Sequence, residues 1–87
     1  MIESRTTRGF RTAFAALPKE VQSQARRAYQ LFRANPDHPS LRFKKVDETE
    51  NIYSARIGLS YRALGVLDGS TIIKFWIGSH ADYDRRV

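Results

Sequence analysis

The spacing of apolar residues changes once along the chain. Before residue 35 it is helical, and after residue 40 it alternates. Phe10, Ala13, Phe14 and Leu17 recur at i, i+3, i+4 and i+7, with Arg8 and Arg11 on the opposite side. Pro18 interrupts this first helix and suits the first position of a second. There Val21, Ala25, Ala28 and Phe32 form the apolar stripe, while Gln22, Gln24, Arg26, Arg27 and Gln30 form the solvent face. Asn35-Pro36 ends it, because a residue before proline avoids the helical region. The two helices read as a hairpin.

Past the turn-rich stretch Asn35 to Ser40, four strand-like segments follow: Leu41 to Val46, Ile52 to Ile57, Tyr61 to Leu67 and Thr71 to Gly78. The breaks between them are too short for anything but hairpins, which predicts an antiparallel meander. Ile2 to Thr6 alternates weakly and can add a short N-terminal strand. The predicted fold is therefore α+β: a helix hairpin packed on a four-stranded antiparallel meander, with that short strand as an extra. At 87 residues, one domain spanning 1–87 is the expected organisation.

Strand parity sorts the side chains onto two faces. A three-residue loop at Gly58-Leu59-Ser60 sets Ile57 opposite Tyr61 and Arg56 opposite Arg62. A three-residue loop at Asp68-Gly69-Ser70 sets Ala63 opposite Phe75 and Arg62 opposite Trp76. A two-residue turn at Asp68-Gly69 would mix the faces, so the cleaner register is expected. It leaves one apolar face for the helices. The other face carries Arg42, Lys44, Arg56, Arg62 and Lys74 around Trp76, with His80 continuing the parity just past the last strand.

Composition adds a direction to that pattern. Fifteen Lys and Arg oppose nine Asp and Glu, a net charge of +6, which calls for an anionic partner. Solvated antiparallel faces are often polar. This one differs in carrying a single sign of charge around an aromatic, a combination that favours RNA. With no cysteine, disulfides and thiolate metal sites are excluded. There is no metal-ligand cluster, Gly-rich phosphate loop or Ser/His/Asp set, and no cofactor is expected. The longest apolar run, Ala13 to Leu17, is far too short to span a bilayer, and the N-terminus lacks a signal-peptide core. A soluble, cytoplasmic protein without a membrane partner is the expectation.

The stretch Trp76-Ile77-Gly78-Ser79-His80-Ala81-Asp82-Tyr83-Asp84 is the most distinctive. Together with the helix hairpin, the meander, Arg56-Ile57-Gly58 and Tyr61-Arg62-Ala63, it resembles the RelE/ParE superfamily of bacterial toxin–antitoxin toxins over most of the chain. The resemblance implies the toxin of a type II toxin–antitoxin system, restrained by a cognate antitoxin. It further implies a metal-free endoribonuclease that cleaves mRNA on the ribosome and so inhibits translation. In such nucleases the 2′-hydroxyl attacks the adjacent phosphate while cations stabilise the charge on phosphorus.

Residue by residue, the resemblance makes Arg62 the phosphate clamp and Arg56 a second cation. It makes His80 the general acid, at a position that YafQ-like members fill with histidine and RelE-type members with arginine. Tyr83 is implied as a base-stacking residue, and Lys44, Arg42, Lys74 and Trp76 complete the expected RNA surface. The chain departs from the family where Ser54 replaces a lysine. Glu48, Glu50, Asp82 or His80 itself are then the candidates for a general base. Two alternatives follow from the same superfamily: a ParE-like inhibitor of DNA gyrase, and an inactive nucleic-acid-binding relative.

Overall fold

The computed structural model describes residues 3–86. Strand β1 (Glu3–Thr6) leads into helices α1 (Arg8–Ala15) and α2 (Lys19–Ala34). A 3₁₀ turn at Pro39–Leu41 follows, and then strands β2 (Lys44–Asp47), β3 (Ile52–Ile57), β4 (Tyr61–Asp68) and β5 (Thr71–Ser79). A last helix, α3, spans His80–Arg86. The sheet order is β1-β5-β4-β3-β2. The meander forms as expected, and the N-terminal strand is present and pairs parallel to β5, making a five-stranded mixed sheet. Ile2, the first residue of the expected strand, lies outside the described residues.

Local chemistry explains the helix boundaries. Thr7 caps α1 by accepting from the Phe10 amide at 3.1 Å. Pro18 occupies the N-cap of α2 rather than its first turn, and Asn35 is its C-cap. Gln22, expected on the solvent face, instead turns inward. Its amide donates to the carbonyls of Phe14 (3.2 Å) and Leu17 (3.1 Å), tying the start of α2 to the end of α1.

The helices cover one face of the sheet. Phe10, Ala25, Ile57, Ala63 and Ile77 form one buried cluster, and Phe32, Leu41 and Ile72 form another, with Ala28 packed against both. Phe43 joins the second cluster through an edge contact with Phe32 and stacking on Tyr53.

The β3–β4 register is the expected one, with Ile57 opposite Tyr61 and Arg56 opposite Arg62. The β4–β5 register is not. Asp68 pairs with Thr71, so the turn is the two residues Gly69-Ser70, with Gly69 at φ 61° in the left-handed region that glycine tolerates. Gly65 pairs with Lys74, and a β-bulge at Phe75 then shifts the pairing to Leu64–Trp76, Ala63–Ile77 and Arg62–Gly78. The bulge reverses face parity at its position. Ile72 and Lys74 point to the helices, and Ile73 to the far side.

Beta strand β2 is also shorter than expected. Arg42 adopts φ 45° as the cap of the 3₁₀ turn, so the alternation begins only at Lys44.

Candidate nucleic-acid interface

The far face of the sheet can be followed row by row, because directly paired residues share a face. One row runs Lys44–Ser54–Leu64–Trp76 across β2, β3, β4 and β5. The next runs Arg56–Arg62–Gly78. Gly78 has no Cβ, and one placed there would lie 2.5 Å from Cζ2 of Trp76. The indole therefore lies along its own strand toward the Arg62 row.

Helix α3 folds over this face. It begins directly at the end of β5, and the His80 amide donates to the carbonyl of Ser60 at 2.7 Å, fixing the helix start to the β3–β4 turn. Ser79 caps it, its hydroxyl accepting from the Asp82 amide at 3.1 Å. Tyr83, one turn in, is buried.

Arg62 is the centre of the arrangement. Its Nη1 donates to Oγ of Ser54 at 2.9 Å, and its Nε donates to Nδ1 of His80 at 3.1 Å. The Tyr83 ring lies 5.1 Å from its guanidinium carbon, and the His80 ring is stacked at 6.0 Å from that of Tyr83. Arginine cannot act as an acceptor, so Nδ1 of His80 carries the lone pair and Nε2 the proton. On the far side of the imidazole, Nε2 lies 3.6 Å from Oδ2 of Asp84, with both side chains more than half exposed. Two Arg62 bonds use Nε and one Nη1 hydrogen, leaving Nη2 without a partner among the described residues. That edge of the fork can take a phosphate oxygen pair.

The structure places Arg62, Trp76 and Lys44 on one face with His80 at its end, and α3 brings Tyr83 over it. It corrects four details. Lys74 is on the opposite face: its ammonium sits 3.9 Å from the centre of the Tyr29 ring and 5.4 Å from that of Phe10, beside a cavity of about 70 Å³ between helices and sheet. Burial there pushes its pKa below the usual lysine value. Arg42 is exposed on the left-handed turn before β2, off the strand ladder. Arg56 pairs in register with Arg62, but its Nε donates to the carbonyl of Gly58 at 3.0 Å, drawing it toward the β3–β4 turn and away from a like charge. Tyr83 supports Arg62 from a buried position, where its ring is not open to a base.

Among the base candidates, Glu48 pairs with Lys45 at 3.7 Å and is 89% exposed, and Asp82 is bonded to Arg85 at 2.7 Å. Ser54 and Asp84 are the neighbours that sequence reasoning missed. Ser54 is fully buried and holds Arg62. Asp84 reaches His80 only because both lie one turn apart on α3. The signal was legible: Ser79-His80-Ala81-Asp82 has the S-x-x-D spacing of a helix start. Among the described residues no group of three or more His, Asp or Glu is placed to hold a metal ion.

The family model of the ParE-like toxin domain matches residues 19–85, which is most of the chain and every element of this face. The chain belongs to the ParE-like toxin domain family. A search of curated protein sequences gave no significant match. Solved structures extend the likeness to the whole ParE-like fold. The RelB–RelE antitoxin–toxin complex from Methanococcus jannaschii matches with a TM-score of 0.73 at 19% identity, over 93% of this chain and 96% of that one. YafQ from Escherichia coli matches with a TM-score of 0.74 at 10% identity, over 95% and 98%. A toxin–antitoxin complex from Mycobacterium tuberculosis matches with a TM-score of 0.71 at 22% identity, over 91% and 98%. At these identities the likeness is one of fold. Among the described residues of this ParE-like domain, no helix is long and apolar enough to cross a membrane.

Proposed function

We propose that this ParE-like toxin domain cleaves mRNA on the ribosome as the toxin of a type II toxin–antitoxin system, held in check by a cognate antitoxin. The observation that carries this reading is the Arg62–His80 pair: a permanent cation with an open Nη2 edge, bonded to an imidazole at the end of the sheet face that also carries Lys44. RNA cleavage by its own 2′-hydroxyl needs two things from a protein: charge on the phosphate oxygens and a group that moves protons. Arg62 supplies the first and His80 the second. Arg56 and Lys44 add cations along the path of the backbone, and Trp76 offers a ring beside Arg62 for a base. The structural neighbours from toxin–antitoxin complexes support the antitoxin partner.

One observation favours the gyrase inhibitor instead. Of the carboxylates considered as bases, Glu48 and Asp82 are engaged in ion pairs of their own. An inhibitor that works by protein contact needs no base. The two readings separate in cells. The protein is expressed alongside its Arg62→Ala and His80→Ala variants, transcript 5′ ends are mapped, and DNA breaks are scored. Transcript cleavage that vanishes in both variants is expected. DNA breaks with intact transcripts would establish the gyrase reading, and absence of toxicity the inactive one.

A further inference from the structure

The geometry points to His80 as the proton acceptor of the reaction, with Asp84 as the carboxylate that positions and charges it. This rests on the nuclease reading and supplies the base which that reading lacks.

The two ring nitrogens of His80 are assigned by their neighbours. Nδ1 faces Nε–H of Arg62 at 3.1 Å and can only accept there. An imidazolium, with a proton on both nitrogens, cannot keep that bond. While that bond is made, the ring's Nδ1 lone pair is aimed at the arginine. A ring poised to donate from Nδ1 would need an acceptor there, and the structure supplies a donor. On the other side, Nε2 lies 3.6 Å from Oδ2 of Asp84, within ion-pair reach once the ring is charged. Lone pair on one nitrogen, carboxylate behind the other: this is the order in which an imidazole serves as a general base while an acidic residue stabilises the cation it becomes. Of the elements packed against α3, β4 contributes Arg62 as the one charged group facing the ring among the described residues. Within α3 its neighbours are Tyr83 and Asp84.

The step follows from this order. Phosphate draws the Arg62 fork onto its oxygens and releases Nδ1. The 2′-oxygen bonds to phosphorus as the bond to the 5′-oxygen breaks, leaving a 2′,3′-cyclic phosphate. The 2′-hydroxyl proton passes to Nδ1, and the departing 5′-oxygen takes a proton from water. The imidazolium is then paired with Asp84 and loses its proton to solvent. Arg62 thus acts twice, first guarding the lone pair and then clamping the phosphate. Asp84 touches neither RNA nor the reacting atoms and is a positioning residue.

Asp84 is exposed and near the end of the helix, so its replacement leaves the fold intact. Single-turnover cleavage of mRNA on programmed ribosomes is measured for the full chain and for Asp84→Ala, Asp84→Asn and Asp84→Glu. The inference expects cleavage about tenfold slower or worse in Asp84→Ala and Asp84→Asn at an unchanged half-saturating concentration, with partial recovery in Asp84→Glu. A second readout needs no activity: the ¹⁵N resonances of the His80 ring report which nitrogen is protonated. They should show the neutral ring protonated on Nε2, and less completely so in Asp84→Ala. Wild-type rates in Asp84→Ala overturn the positioning role while leaving the nuclease reading intact. A neutral ring protonated mainly on Nδ1 overturns the base assignment. If the unmodified protein cleaves no RNA, both readings fall together.

Discussion

Replacing Ser54 by alanine tests whether Arg62 is held by the sheet or merely lies on it. The Ser54 side chain is fully buried, and its hydroxyl accepts a charge-assisted bond from Nη1 of Arg62 at 2.9 Å. A hydrogen bond to a charged group contributes roughly 1.5–3 kcal/mol, and leaving a buried donor unmet costs roughly 1–3 kcal/mol. Arg62 is only half-buried, so its freed N–H finds water and the loss falls toward the lower end. Alanine removes just one oxygen, so the cavity left behind adds little. The expected destabilisation is about 1 kcal/mol, equivalent to a fall in Tm of roughly 4–8 °C for a domain of this size. Urea unfolding should show a lower midpoint at an unchanged slope. A double-mutant cycle with Arg62→Met should return a coupling of about 1 kcal/mol, because the two residues share this bond. Additive effects in the cycle, or stability within about 0.3 kcal/mol of wild type, would refute the claim that Ser54 anchors the guanidinium.

Lys74→Met should leave RNA binding and cleavage unchanged, since Lys74 faces the helices; a loss comparable to that from Arg62→Ala, measured in the same cleavage assay, would restore it to the basic face. Its lowered pKa also sets a sign: between that value and the unfolded 10.5 the unfolded chain binds more protons, so wild-type stability should rise with pH relative to the Met variant, as read by urea unfolding across alkaline pH. Gly78→Ala places a methyl group 2.5 Å from the Trp76 ring and should destabilise the fold by about 1–3 kcal/mol while moving the Trp76 fluorescence.

The sheet was legible where both strands of a hairpin carry an unambiguous pattern. In β3 and β4, arginine and apolar positions alternate cleanly around a three-residue turn, and Arg56 does face Arg62. In β5 the run Ile72-Ile73-Lys74-Phe75-Trp76-Ile77 is apolar at nearly every position, so alternation could not show that Phe75 is an extra residue. That one bulge moved Lys74 to the other face. At β2, the 3₁₀ turn begun by Pro39 consumed the first residues of an alternation that looked continuous. Arg62 and His80 do come into contact, because one is set by β4 parity and the other by the position where β5 ends. What surrounds them was harder to read. Asp84 and Tyr83 meet His80 and Arg62 through α3, a helix of seven residues with little apolar content to announce it. Its start signal, Ser79-x-x-Asp82, was the available clue.

The central claim is that Arg62 and His80 form a reaction centre for RNA rather than a charged docking surface. The most direct test is single-turnover cleavage of mRNA on programmed ribosomes by the purified protein and His80→Ala, with the ends of the products identified. The account predicts a loss of 10²-fold or more in rate for the variant, and wild-type products ending in a 2′,3′-cyclic phosphate and a 5′-hydroxyl. Equal rates in the two proteins, or products ending in a 3′-hydroxyl and a 5′-phosphate, would contradict it.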